Sequence, residues 1–343
     1  MKHLLNTLYV TTQGSYLSRE GETVVIKVDH EVRFRLPLLT LGGIVCFGQV
    51  SMSPQLMQLC GEKNIGISFM SEHGRFYARV QGPVSGNVLL RRAQYRRADE
   101  NETVAQIARA CVTAKVNNSR VVLMRACRDQ PDNPQVEPLK NAAAMLLQIM
   151  GCLERDASLE TIRGWEGEAA KVYFSVFDHL IIAQKKDFFF MGRNRRPPTD
   201  NMNALLSFLY TLLTHDDVSA LEGVGLDPAV GYLHLDRPGR PGLALDLVEE
   251  FRPYLADRLA LSLVNRQQIN GKGFCRSETG AVHMDDNTRK ELLTAYQKRK
   301  AEEITHPFIG EKMPIGLLPH IQSMLFARYL RGDIDGYPPF IWR

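Results

Sequence analysis

The residues best suited to chemistry lie between Asp227 and Asp257, in DPAVGYLHLDRPGRPGLALDLVEEFRPYLAD, where one histidine precedes a helix bearing several carboxylates. His234 is followed twelve positions later by Asp246, and fifteen and sixteen later by Glu249 and Glu250. Positions three and four apart share a helix face, so one divalent ion could be reached from the histidine and from that face. An imidazole nitrogen among carboxylate oxygens suits Mg²⁺ or Mn²⁺ better than structural zinc, which prefers cysteine and histidine sets. Pro253 would remove the helical bond to the carbonyl of Glu249 and bend the helix beside the acids. The plainer reading of Asp246, Glu249 and Glu250 is an acidic cluster in a first turn, favoured by the helix dipole. It accounts for two acids at most, because the adjoining stripe Leu247, Phe251, Leu255 and Leu259 would set at least one carboxylate at the edge of the core.

A second acid stands out in WEGEAAKVYF. Glu166 shares a helical stripe with Ala169, Ala170, Tyr173 and Phe177, which is the buried stripe, whereas Glu168 points away as a solvated charge. A carboxylate on an inner face must be paired, protonated or bound to metal. A structural salt bridge with an arginine such as Arg163 and a metal ligand explain Glu166 equally well. Basic residues gather in two tracts, Arg91, Arg92, Arg96, Arg97 and Lys185, Lys186, Arg193, Arg195, Arg196. Solvated surface arginines are one reading; contacts to phosphate oxygens are the other. Two such tracts flanking an acidic site make a phosphodiester the more economical substrate. Attack on it by a DNA 3′-hydroxyl would be strand transfer, and attack by water hydrolysis.

The elements that must position these groups divide the chain. The first ~80 residues read as short alternating strands with turns at Glu20-Gly21 and Asp29-His30, and in Val32–Leu36 the period of two sets apolar residues on one face and arginines on the other. Ser53-Pro54 reads as the N-cap and first position of a short helix stopped by Gly61. Near Gln81-Gly82-Pro83 the character changes, and from Asn87 the periodicity is helical, with further helices over 203–214, 245–264 and 288–303 and a flexible loop around Lys185–Asp200. The fold class is therefore α+β: a small β-rich domain, residues 1–85, then a larger all-α domain, residues 86–343, carrying the chemistry. With 343 residues, 44% hydrophobic and 23% charged, the chain has the composition of a globular protein rather than a disordered one. Its six cysteines show no CxxC spacing, so neither a zinc knuckle nor a disulfide framework is expected. No apolar run approaches the roughly 20 residues of a membrane span, and a cytoplasmic location is expected. The aromatic, proline-rich end YPPFIW reads as a packed terminus or as a docking segment for a partner.

The EGEAAKVYF stretch at Glu166, the NALLSF helix at Asn203, the GYLH loop at His234 and the DLVEEFRP helix at Asp246 together resemble one family along the whole chain. That family is the CRISPR-associated integrase of spacer acquisition, the first of the numbered CRISPR-associated proteins, described as a metal-dependent endonuclease. The tail FARYLRGDIDGYPPFIWR looks like the type I-C branch. The resemblance implies a metal site of Glu166, His234 and Glu249, with Asp246 assisting, and it favours integration over hydrolysis. Glu250 stands where relatives often have proline, which leaves open which of the paired glutamates faces the ion. Asn203, Tyr173 and Tyr210 would lie near the active centre, with Arg91, Arg92, Arg195, Arg196 and Asn203 on the DNA. The first domain would serve dimerisation and partner contacts. Implied partners are DNA, a second copy of the chain, a dimer of a small second CRISPR-associated protein, and in some systems a CRISPR-associated nuclease that trims the incoming DNA. Competing expectations are a stand-alone metal-dependent nuclease of branched-DNA repair and a non-catalytic nucleic-acid scaffold.

Overall fold

The computed structural model describes residues 6–72, 74–80, 82, 88–131 and 134–342. The chain divides into two compact units, the first of residues 1–85, 284–302 and 314–317, the second of residues 86–283, 303–313 and 318–343. The junction signalled by Gln81, Pro83 and Asn87 lies outside the described residues.

In the first unit the β-branched runs become β1 (Asn6–Val10), β2 (Tyr16–Glu20), β3 (Thr23–Val28), β4 (Glu31–Pro37), β5 (Leu41–Phe47), β6 (Ser51–Met52), β7 (Gly66–Met70) and β8 (Phe76–Val80), with helix α1 (Pro54–Glu62) before β7. They form two sheets, ordered β1-β5-β7-β8 and β4-β3-β2-β6. The turns read from sequence are present, Gly21 at φ +59° and Asp29 and His30 at +51° and +66°, joining antiparallel pairs β2/β3 and β3/β4. Leu17, Val24, Ile26, Ile44, Leu56 and Ile67 share the core of this unit. Ser53 caps α1 by accepting the Leu56 amide. Gly61 does not stop that helix; it lies within it, where an added Cβ would meet the Gly82 backbone at 3.0 Å. Nor does β4 turn its apolar face inward: Val32 and Phe34 are exposed on what is the edge strand of its sheet.

The second unit contains α2 (Val88–Ala98), α3 (Asn101–Asp129), α4 (Val136–Leu153), α5 (Leu159–Ser175), α6 (Asn201–Val224), α7 (Gly242–Phe251) and α8 (Arg258–Asn265). Helix α9 (Asp286–Ala301), read from sequence as part of the helical domain, packs with the first unit, and α10 (Leu318–Arg331) returns to the second. The 29-residue α3 packs against α4, α5 and α7. Ile107, Cys111, Leu221, Leu243, Leu247 and Phe326 join α3, α6, α7 and α10 in one core. Between α7 and α8 the residues Arg252–Asp257 form a π-helical segment, the response of the chain to Pro253. The stretch Lys185–Asp200 has no helix or strand but is not loose. Phe188 and Phe190 are buried, the Phe190 amide donates to Asp178, and Asn194 donates to Asp200. All six cysteines are free thiols. Among the described residues no helix is long and apolar enough to cross a membrane.

Candidate active site

Helix α3 lends one lysine to a cluster that α5, α7 and the loop before α7 complete. That loop is closed by two glycines in contact: a Cβ on Gly231 would stand 2.4 Å from the His234 carbonyl oxygen and 2.9 Å from Gly242. The Gly242 amide donates to Ala229 (3.2 Å) and that of Leu243 to Pro228 (3.0 Å). From α5, Arg163 grips the same loop, donating through two nitrogens to the Leu233 carbonyl at 2.8 and 2.6 Å. It does not pair with Glu166.

Asp246, fully buried, collects what the loop offers. It accepts the amides of Tyr232 (2.6 Å), Leu233 (3.0 Å) and His234 (2.9 Å), and the His234 Nδ1 lies 2.7 Å from Oδ1. Because a carboxylate accepts, Nδ1 donates its proton to Asp246, and the ring is held with Nε2 turned toward Glu249. Asp246 is thus a positioning residue with its oxygens already engaged, and the expectation that one ion could reach it together with the other acids is corrected. The same holds for Glu250. Its carboxylate turns into the core, accepting the Tyr337 hydroxyl (2.7 Å), the Phe340 amide (2.7 Å) and the Gln322 side chain (3.1 Å). Glu249 is the glutamate on the histidine side, its Oε1 3.9 Å from His234 Nε2. None of the three acids lies in a first turn, since α7 begins at Gly242.

Glu249 is almost wholly buried and doubly ion-paired, to Lys115 at 2.7 Å through Oε2 and to Arg252 through Oε1. Burial acts to raise its pKa, but Arg252, Lys115 and His234 outweigh it and hold the carboxyl below the usual range. The Lys115 ammonium also pairs with Glu166, so one cation bridges the two carboxylates. Among the described residues no three His, Cys, Asp or Glu side chains are drawn closely enough together to hold a metal ion as they stand. The donor set nevertheless fits a hard divalent ion: an imidazole nitrogen turned toward Glu249, and two carboxylates already facing a cation.

Beside this cluster lies a cavity of about 540 Å³ lined by Lys115, Arg193, Arg195, Arg196, Arg252 and Tyr210 among others. Tyr173 and Tyr210 both line it, but their hydroxyls are spent on the buried Asp257, at 3.1 and 2.6 Å. Arg193 and Arg252 stack on the Tyr210 ring with guanidinium carbons 5.2 and 4.9 Å from its centroid, which fixes both charges in place. Arg195 and Arg196 are exposed on the cavity wall; Arg91 and Arg92, on α2, are not part of it. Asn203 is fully buried. It donates to Gly192 (2.9 Å) and Asp200 (2.7 Å) and accepts from Arg193, so it shapes the basic loop and has nothing left to offer DNA. Sequence reasoning passed over Lys115, Arg252 and Asp257. The one legible sign for Lys115 was a lone cation inside the apolar run around Cys111, Val112 and Val116 on α3.

With this geometry in hand, comparison with known proteins gives a consistent result. The profile of the family described as CRISPR associated protein Cas1 matches residues 8–298. A relative from Chlorobaculum tepidum, named CRISPR-associated endonuclease Cas1 1, is 60% identical over 343 residues, covering all of both chains. Another of that name from Moorella thermoacetica is 50% identical over the same span. A Geobacter sulfurreducens protein named as a Cas4 exonuclease/Cas1 endonuclease fusion is 35% identical over 98% of this chain and 60% of its own length. Among solved structures, a Cas1 protein from Thermotoga maritima superposes with TM-score 0.81 at 24% identity over 96% of this chain and 97% of its own. A casposase bound to an integration product gives 0.85 at 21% identity over 99% and 95%. Those two likenesses establish the shared fold.

Proposed function

The chain belongs to the CRISPR-associated Cas1 family, an endonuclease and integrase family, and from that premise we propose that it is a metal-dependent integrase inserting short DNA fragments as new spacers into a CRISPR array. The observation that carries this reading is one cluster, in which a single lysine bridges Glu166 and the buried Glu249 and His234 stands against Glu249, beside an arginine-lined cavity.

Glu166, His234 and Glu249 would hold Mg²⁺ or Mn²⁺, which when bound supplies a Lewis acid against the charge developing on a phosphodiester. The chain's own residues do the rest. Asp246 keeps the proton on Nδ1 and so presents Nε2 of His234. Arg252 holds Glu249 ionised, and Arg193 and Arg252, pinned on Tyr210, offer fixed donors to phosphate oxygens in the cavity. Arg195 and Arg196 extend that charge to the rim. A DNA 3′-hydroxyl held there attacks the phosphodiester in line: a new P–O bond forms as the opposite P–O ester bond breaks. The attacking hydroxyl loses its proton to solvent, and the departing oxygen takes one up and leaves as a hydroxyl. Water in place of the 3′-hydroxyl gives hydrolysis.

A second copy of this chain and a dimer of the small second CRISPR-associated protein are the proposed partners, acting in the cytoplasm, with the first unit making those contacts. Structures titled Cas6-RT-Cas1–Cas2 complexes share the fold, and the Cas4/Cas1 fusion supports a trimming nuclease nearby. The FARYLRGDIDGYPPFIWR tail supports placement in the type I-C branch, which adjoining type I-C genes would test. In the functional experiment, a supercoiled repeat-bearing plasmid is incubated with labelled short duplex, Mn²⁺, this protein and its small partner. Covalent label on the plasmid is expected, and its loss in His234→Ala with DNA binding retained. Cleavage without joining would point to a repair nuclease, and binding with neither would reduce the protein to a scaffold.

A further inference from the structure

We infer that Lys115 is an internal placeholder for the metal: its ammonium occupies the space between Glu166 and Glu249 in the metal-free chain, and yields it on metal entry to bind substrate phosphate in the adjoining cavity. The inference rests on the metal site proposed above.

Three observations lead to it. Lys115 contacts both carboxylates that would be ligands, and those carboxylates together with His234 do not form a metal-holding group while it is there. The placeholder is an ammonium held between two carboxylates, one of them almost wholly buried, so it stands where a cation is wanted. A divalent ion and an ammonium at one place would repel strongly in so buried a setting, so metal entry requires the ammonium to leave. Lastly, the side chain has somewhere to go. Lys115 is itself on the cavity wall, facing the space shared with Arg193, Arg195 and Arg196.

The two cations on Glu249 are not equivalent, and their chemistry decides which moves. Arg252 is planar, stacked on Tyr210 at 4.9 Å, and reaches only Oε1. Lys115 is a point charge on a flexible four-carbon stem, which can rotate away without disturbing the ring stack. Displaced into the cavity it becomes a further phosphate contact, formed only when metal is loaded. The device keeps two glutamates from facing each other unpaired, a costly state for buried charges, and makes the phosphate site complete only once the metal site is filled.

The test uses the full chain and measures Mn²⁺ binding by calorimetry in the unaltered protein, Lys115→Met and Glu166→Gln. Removing the competing ammonium should tighten Mn²⁺ binding about tenfold or more in Lys115→Met, while Glu166→Gln loses it. Mn²⁺ binding that is equal or weaker in a folded Lys115→Met overturns the inference. Should that variant not fold, acetylation of lysines in the unaltered chain, read by mass spectrometry, decides. Lys115 should be protected without metal and labelled several-fold faster with Mn²⁺, against a constant exposed Lys140; no change at Lys115 overturns the inference. The phosphate half is read from binding of a 3′-dideoxy duplex, whose salt slope with Mn²⁺ should fall by about one in Lys115→Met and be unchanged without metal. An equal slope in both proteins overturns that half. Mn²⁺ binding that survives Glu166→Gln, or is absent from the unaltered chain, instead sinks the metal site itself, and this inference with it.

Discussion

Single residues here do different work from what their spacing suggests. Four acids with one histidine invite a picture of five ligands, yet only Glu166 and Glu249 face a cation, while Asp246 serves the histidine and Glu250 the core. Helical periodicity could not separate Glu249 from Glu250, because both are buried and only the partners that reach them from α3, α10 and the C-terminal segment distinguish them. Asp257 was likewise invisible, being one more acid after a proline. Its burial pushes the carboxyl up to about 6 despite two tyrosine hydroxyls, a guanidinium pair nearby and an ordinary value near 3.8. The folded state therefore holds this proton more tightly than the unfolded one. The stability it contributes is complete below about pH 4, falls as pH rises toward 6, and then levels. Asp257→Asn, which keeps partners for both hydroxyls, should flatten that slope by roughly 3 kcal/mol at most; urea melts of both proteins between pH 4 and 7 check it, and identical slopes would refute it.

At the scale of elements, the longer strands of the first unit, the turns and most helices were legible from period and capping, as Ser53 over α1 and the turn at Asp29-His30 show. The short strands Ser51–Met52, Phe274–Arg276, Val282–Met284, Glu303–Thr305 and Lys312–Pro314 were not, and the last four correct the expectation that residues 86–343 are all-α. What was not legible depended on contacts distant in sequence. The His234 loop carries no periodic signal, and its shape comes from Gly231 against Gly242 and from Arg163 reaching across from α5. Gly231→Ala should accordingly cost about 1–3 kcal/mol of stability and weaken Mn²⁺ binding, because the His234 carbonyl must move to admit the methyl. A thermal melt and a metal titration report the two effects; unchanged metal affinity would mean the loop does not set the histidine. The YPPFIW end resolves as a packed one: Phe340 is fully buried against Phe251 and Tyr254 at 5.6 and 5.4 Å, and its amide bonds Glu250 behind the residue that faces the site.

For the molecule as a whole, net charge of only +4 says little, whereas the placement of arginine says more. Of the two tracts read as phosphate contacts, only the one at Arg193–Arg196 lies on the cavity beside the site. Replacing Arg195 and Arg196 together by glutamine should lower the salt slope of duplex binding by about two, with little loss of stability, since both are exposed. A slope unchanged within error would place the DNA elsewhere. The division into a strand-rich and a helical unit was foreseeable, but the membership of α9 was not, because an amphipathic pattern names a buried face without naming what covers it.

That membership bears on heredity. Residues 284–302 and 314–317 belong with the first unit although they follow nearly two hundred residues of the second. A gene cut at codon 85 and spliced to a foreign sequence would therefore hand on a sheet stripped of its late-arriving helix. Neither unit is one contiguous stretch of the chain, so no single cut separates them whole.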